Sequence, residues 1–241
     1  MSGEFISVLN HQVEVRRRPR QRNMNLSVKA DGLVRVSCNR RMSVGDISAF
    51  VVSCQDFIQR RRSQIDELER KYPLKKFVSG EEFLFMGEKL TLEVVWSWQR
   101  RARMQEPLEM LAPVGSSVEE RRKALVNFYR REGKRWLLAR VEFWGRLMDL
   151  PARSLTVRGQ RTLWGSCTIE SNISLNWKLM CAPVEVIDYV VVHELAHIRE
   201  RNHSPRFWAV VAEFMPEHKR LRKWLKTHQQ EIGRQFSLKN P

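Results

Sequence analysis

No run of about 18 consecutive apolar residues occurs in the chain, which removes a membrane-spanning helix from the expected structure. The start, Met1-Ser2-Gly3-Glu4-Phe5-Ile6, lacks a basic segment followed by an apolar one, so no secretory signal is expected. Cysteine is sparse. Cys38, Cys54, Cys167 and Cys181 form no CxxC pair, which excludes a zinc-ribbon pattern and fits reduced thiols in a cytoplasmic protein. Internal repeats and low-complexity segments are absent as well. Negative charge is in deficit, with 27 acidic residues against 43 Lys and Arg, a net +16. Such an excess fits either a well-solvated surface or an anionic partner: nucleic acid, nucleotide phosphates or an acidic protein. The basic residues cluster at Arg16–Arg18 with Arg20 and Arg22, at Arg60–Arg62, and at Arg100–Arg101 with Arg103. Helix faces and loops in solvent would hold many of these, so the clusters alone locate no groove.

What is present suffices for a core, since 42% of the 241 residues are hydrophobic. Residues 4–38 read as β, with a turn at Asn10-His11. Strands Met24–Lys29 and Leu33–Cys38 flank Ala30-Asp31-Gly32, whose Asp-Gly suits a tight hairpin. One helix is expected from Ser43 to the stop at Tyr72-Pro73. Phe83–Met86 and Leu90–Trp98 form another expected hairpin, and 99–118, with Pro107, Pro113 and Gly115, reads as a linker. A long helix should run from about Val118 to Asp149, with Gly133 as a blemish. The pattern predicts an α+β chain: a smaller β-rich N-terminal domain with one helix over 1–110, then a catalytic domain over 111–241.

Chemistry concentrates after Pro183. The stretch Val184–Ile198 has no helix breaker, starts with proline in the first turn, and is apolar around much of its circumference, as a buried helix is. Buried polar heads need partners. His193 and His197 are four apart and share a face, Glu194 adjoins the first, and together they read His-Glu-x-x-His. That arrangement suits Zn²⁺ held by imidazole nitrogens, with the carboxylate taking a proton from activated water. A third ligand is needed. His203 lies beyond a helix end expected at Asn202 in a left-handed conformation, before a new helix capped by Ser204-Pro205. It is the preferred third ligand; Glu213 and Glu217 on the second helix are the competing ones. Cys167 reads as an inert thiol, His218 and His228 as surface or packing histidines, and His11 has no evident partner.

The segments Trp164-Gly165-Ser166-Cys167, Ile173–Asn176, Asp188–His197, Asn202-His203-Ser204 and Phe207-Trp208 resemble the YgjP-like metal-dependent hydrolases, related to zincin metallopeptidases and to the SprT-like group. The resemblance is dense over about 153–226 and looser before it. It implies a zincin-like C-terminal domain, ligands His193, His197 and His203, and base Glu194. It also implies that Trp164–Cys167 and Ile173–Asn176 are strands beside the active-site helix, the edge strand pairing with extended substrate. Relatives carry Arg before the Trp-Gly-Ser-Cys run, where this chain has Leu163. Either the substrate differs or Arg161 substitutes, and Trp164 and Asn176 are further candidates for substrate contact. The expected function is a zinc-dependent hydrolase, a metallopeptidase first. The alternatives are a nucleoside triphosphate pyrophosphatase using Arg199, Arg201 and Arg206, or a nucleic-acid-associated protein with a structural zinc.

Overall fold

The computed structural model describes residues 4–98, 101–103, 108–160 and 163–238. The chain divides after Pro73 into two compact units, with Leu74–Leu238 forming the second. The fold is α+β, built from small mixed sheets and six α-helices among the described residues. None of those helices is long and apolar enough to cross a membrane.

In the first unit β1 (Glu4–Val8), β2 (His11–Arg17), β3 (Asn25–Val28) and β4 (Val34–Cys38) form one sheet in the order β1-β2-β4-β3. The expected turn sits one residue early: Leu9 takes the positive φ, and His11 already pairs with Val8. The Asp31-Gly32 hairpin forms with Gly32 at φ 80° and the Asp31 carboxylate accepting from the Leu33 amide. β2 and β4 run parallel, so the four strands are no simple meander. Val13, Val15, Val34 and Val36 alternate inward and pack with Ile47, Val51 and Ile58. Burial of each such side chain contributes roughly 1.5–3 kcal/mol. The single helix expected over 43–72 is two, α1 (Val44–Ser53) and α2 (Gln55–Lys71), interrupted at Cys54. Ser43 caps α1 reciprocally with Asp46. His11 has the partner that sequence did not supply, the Gln55 side chain at 3.0 Å. Glu14 faces Arg16, Lys29 and Arg35, and hydrogen bonds from these, Lys29 first, lower its pKa to about 2.

The second unit begins earlier than the boundary expected near residue 110. β5 (Glu82–Phe85), β6 (Glu88–Trp96), β7 (Arg101–Arg103) and β8 (Leu108–Ala112) make a sheet in the order β5-β6-β8-β7. Phe83, Phe85, Leu92 and Met110 enter the same core as Phe128, Tyr129 and Leu137 of α3 (Val118–Leu147). Shared burial therefore ties the β5–β6 hairpin to α3. The expected linker also holds β8, which pairs in parallel with β6. Gly133 is explained by contact: a Cβ there would lie 3.2 Å from Met180 Cγ, where α3 crosses the 3-10 helix Trp177–Cys181.

A three-stranded sheet, order β10-β11-β9, completes the unit with β9 (Ser154–Arg158), β10 (Gly165–Cys167) and β11 (Asn172–Asn176). β10 is an edge strand, antiparallel to β11, while β9 is parallel to β11. Helices α4 (Val184–Arg199), α5 (Pro205–Phe214) and α6 (His218–Gln235) come last. α4 is buried along most of its length and packs on α3, β10, α5 and α6. Its orientation is fixed by Asp188, which accepts two 2.6 Å hydrogen bonds from Arg140 of α3. Arg140 in turn lies over the rings of Trp136, Phe143 and Trp144. A bidentate, ring-stacked guanidinium resists both translation and rotation of the partner helix.

Candidate metal centre

α4 carries His193 and His197 on one face, one turn apart, with ring centroids separated by 5.1 Å. Pro183 caps this helix rather than opening its first turn, its carbonyl accepting from the Val186 and Ile187 amides. The far end differs more from expectation. Asn202 has no positive φ; the helix ends where Glu200 turns extended, at φ −126° and ψ 106°. The Glu200 carbonyl then lies 3.2 Å from His197 Nδ1. This bond leaves Nε2 of His197 as the free coordinating atom, an outer contact of the kind that orients metal-binding imidazoles. Ser204 caps α5 through the Phe207 amide, with Pro205 in the first turn. The short connection between α4 and α5 brings His203 back over α4, its Nε2 3.0 Å from His193 Nε2.

One donor atom from each of His193, His197 and His203 lies within 4.8 Å of the others. Tetrahedral zinc with nitrogens at 2.0–2.1 Å needs donors about 3.3 Å apart, so small rotamer adjustments would close the set on one ion. Phe207 stacks on His197 at 4.5 Å and Trp208 on His203 at 5.7 Å, fixing the rings. His193 packs edge-on against Phe207, and its buried Nδ1 has no hydrogen-bond partner among the described residues. Burial, and then the neighbouring histidines, depress its pKa to about 3. His197 is lowered too, chiefly by burial. Both rings are thus neutral near pH 7, the form that binds a metal. Neither Glu213 nor Glu217 joins the cluster; Glu217 instead pairs with Arg220.

Glu194 is 6% exposed, and burial raises its pKa to about 8. The reason it can sit there is Gly165 of β10. A Cβ at Gly165 would stand 2.5 Å from Glu194 Oε1 and 2.7 Å from its Cγ. Only a residue without a side chain lets the strand backbone pass so close to the carboxylate.

These groups open into a cleft of about 860 Å³ whose lining includes Leu163–Cys167, Tyr189, the three histidines, Glu194, Trp208, and Arg222, Leu225, Lys226 and Gln229 of α6. Sequence reasoning missed the α6 contribution, because nothing local in a basic amphipathic helix says which polar residues face a cleft. Of the candidate substrate contacts, Trp164 lines the cleft and Arg161 lies outside the described residues. Asn176 does not line it. Its amide is consumed, donating to the Gln160 and Leu163 carbonyls and accepting from the Lys178 amide. It ties Gln160 to Leu163 just before β10. Cys167 lines the cleft with a thiol pushed up by burial, as an inert thiol would be. Arg201 also reaches it, but its guanidinium is tied to the Thr168 and Ile169 carbonyls. His218 is buried against Trp208, and His228 stacks on Trp224.

Comparison with known proteins gives two findings and one blank. A family model described as YgjP-like, metallopeptidase domain, matches residues 22–228. Among solved structures the chain is similar to the metallopeptidase zymogen of Pyrococcus abyssi abylysin, at 19% identity and a TM-score of 0.36. That similarity covers 39% of this chain and 95% of the other. No curated protein matches the sequence.

Proposed function

The chain belongs to the YgjP-like family through its metallopeptidase domain, and from that premise we propose a zincin-like peptidase: His193, His197 and His203 hold zinc, and Glu194 is the general base. The observation that carries the reading is a cluster of three imidazoles beside a buried carboxylate, both open to one cleft. A purely structural zinc has no use for such a carboxylate. Bound zinc would acidify water and polarise a carbonyl oxygen. The chain's own residues do the rest. Glu194 takes the proton of the attacking water and can return it to the leaving amine. The edge strand β10 offers backbone groups to an extended peptide, antiparallel or parallel to itself. Trp164 supplies an apolar wall.

The reading is tested by incubating zinc-loaded protein with unfolded polypeptides and mapping new termini by mass spectrometry. Cleavage should stop with a chelator and return with zinc; a fully zinc-loaded, folded protein that produces no new termini would sink it. The phosphoanhydride alternative, as built on Arg199, Arg201 and Arg206, has weaker support. Arg201 is already engaged by backbone carbonyls, and neither Arg199 nor Arg206 lines the cleft.

Gly165 gives a second expected result. Gly165→Ala should force the Glu194 carboxylate or β10 to move, since the new Cβ would overlap Oε1. Displacing a catalytic group by about 1 Å costs on the order of a hundredfold in kcat/KM. Zinc stoichiometry should stay at the wild-type value, because the histidines are untouched. Wild-type turnover in a folded Gly165→Ala protein would show that Glu194 does not act from this position.

A further inference from the structure

α6 presents two different faces. Leu221, Leu225 and Ile232 are buried, whereas Arg222, Lys226 and Gln229 are exposed at spacings of four and three residues and line the cleft. Lys219, Arg220 and Lys223 are also exposed on α6 but stand outside the cleft lining. The cleft's charged lining is correspondingly one-sided. Among the described residues, Arg201, Arg222 and Lys226 are its Lys and Arg cations, and Glu194 is its acidic residue. With Arg201 committed to the Thr168 and Ile169 carbonyls, Arg222 and Lys226 are the cations turned to whatever occupies the space.

Arg222 is also held in place. Its guanidinium lies 5.2 Å from the centre of the Trp208 ring, and Trp208 stacks on both His203 and His218. A guanidinium held against an indole ring by the cation–π attraction still has N–H donors to offer a carboxylate. The stack makes a rigid series, His203–Trp208–Arg222, that sets the cation beside the metal-binding cluster.

We infer that Arg222 and Lys226, with Gln229 beside them, form a carboxylate-reading subsite that selects peptides bearing an acidic group next to the scissile bond. The peptide nature of the occupant rests on the function proposed above; the carboxylate preference rests on the α6 wall. The acidic group is either an internal Asp or Glu side chain or the free C-terminus of a short peptide.

The test uses zinc-loaded full-length protein carrying Glu194→Gln, so that binding is read without turnover. Fluorescein-labelled peptides differing only in Glu against Gln, and in a free against an amidated C-terminus, are titrated by fluorescence polarisation. The acidic form should bind roughly three- to tenfold more tightly. Arg222→Gln with Lys226→Gln should erase the difference. Lys219→Gln with Lys223→Gln, which removes the same number of charges outside the cleft, should keep it. Lys226→Glu alone should shift the preference towards basic peptides, an effect that mere loss of fold does not produce. Whether Glu or the free C-terminus carries the preference identifies the source of the carboxylate.

Equal binding of the paired peptides, or a preference lost equally in both double variants, would overturn the subsite. So would inorganic triphosphate binding at least tenfold more tightly than the acidic peptide and losing that advantage with Arg222 and Lys226. Wild-type turnover measured in parallel separates the two proposals. Turnover without preference removes the subsite, whereas preference without turnover removes the peptidase.

Discussion

Glu194→Gln is expected to lose about 10²–10⁴-fold in turnover while binding zinc as the wild type does. The amide is nearly isosteric and fits beside Gly165, where any larger change would strike the β10 backbone. It cannot accept a proton, and it is not one of the three imidazoles. The same substitution should change stability with a definite sign. Burial raises Glu194 from 4.5 to about 8 in the metal-free fold, so the folded state holds a proton that the unfolded chain releases. Between those values the folded state binds more protons, and its stability therefore falls as pH rises from about 4.5 to 8. Glutamine escapes this penalty. Metal-free Glu194→Gln should be more stable than metal-free wild type at pH 8, by an amount on the order of 3–5 kcal/mol, and equally stable near pH 4. Thermal unfolding at the two pH values, in chelator, measures it. An unchanged difference across that range would mean that Glu194 is not held in a desolvated position.

His203→Ala carries the second large effect. Removing one of three protein ligands should weaken zinc binding by at least about a hundredfold, more than loss of an outer contact does. The fold should hardly notice, because His203 is exposed and surface truncations stay within roughly 0.5 kcal/mol. Glu217→Ala is the companion variant. Glu217 pairs with Arg220 on α6 and lies outside the histidine cluster, so its loss should leave zinc affinity unchanged. Competition titration against a chromophoric chelator ranks the three proteins. Weak binding in Glu217→Ala with tight binding in His203→Ala would transfer the third position to the carboxylate.

How much of this was legible in the sequence depends on how local the cause is. The spacing of His193 and His197 dictates a shared helical face, and Ser204-Pro205 dictates where the next helix starts; both hold in the structure. The Asp31-Gly32 turn is equally local. The end of α4 differs from the sequence pattern: Asn202 suits a left-handed stop, whereas the extended Glu200 ends the helix and its carbonyl orients His197. Non-local causes left no readable signal. Parallel pairing of β6 with β8, and of β9 with β11, depends on partners far along the chain. Pro107 and Pro113 made the region around β8 look like a linker, although Met110 is fully buried in the core. The role of Gly165 depends on how closely β10 approaches Glu194, which the sequence does not encode locally. The roles of Arg222 and Lys226 required the cleft itself.

The central claim is that one zinc ion at the three histidines, worked by Glu194, cleaves peptide bonds. Titrating zinc into metal-free protein while following peptide turnover tests it most directly. Activity should rise in proportion to zinc and level off at one equivalent per chain, while Glu194→Gln takes up the same equivalent and stays inactive. Full zinc occupancy without turnover in the wild type, or turnover undiminished in Glu194→Gln, would contradict it.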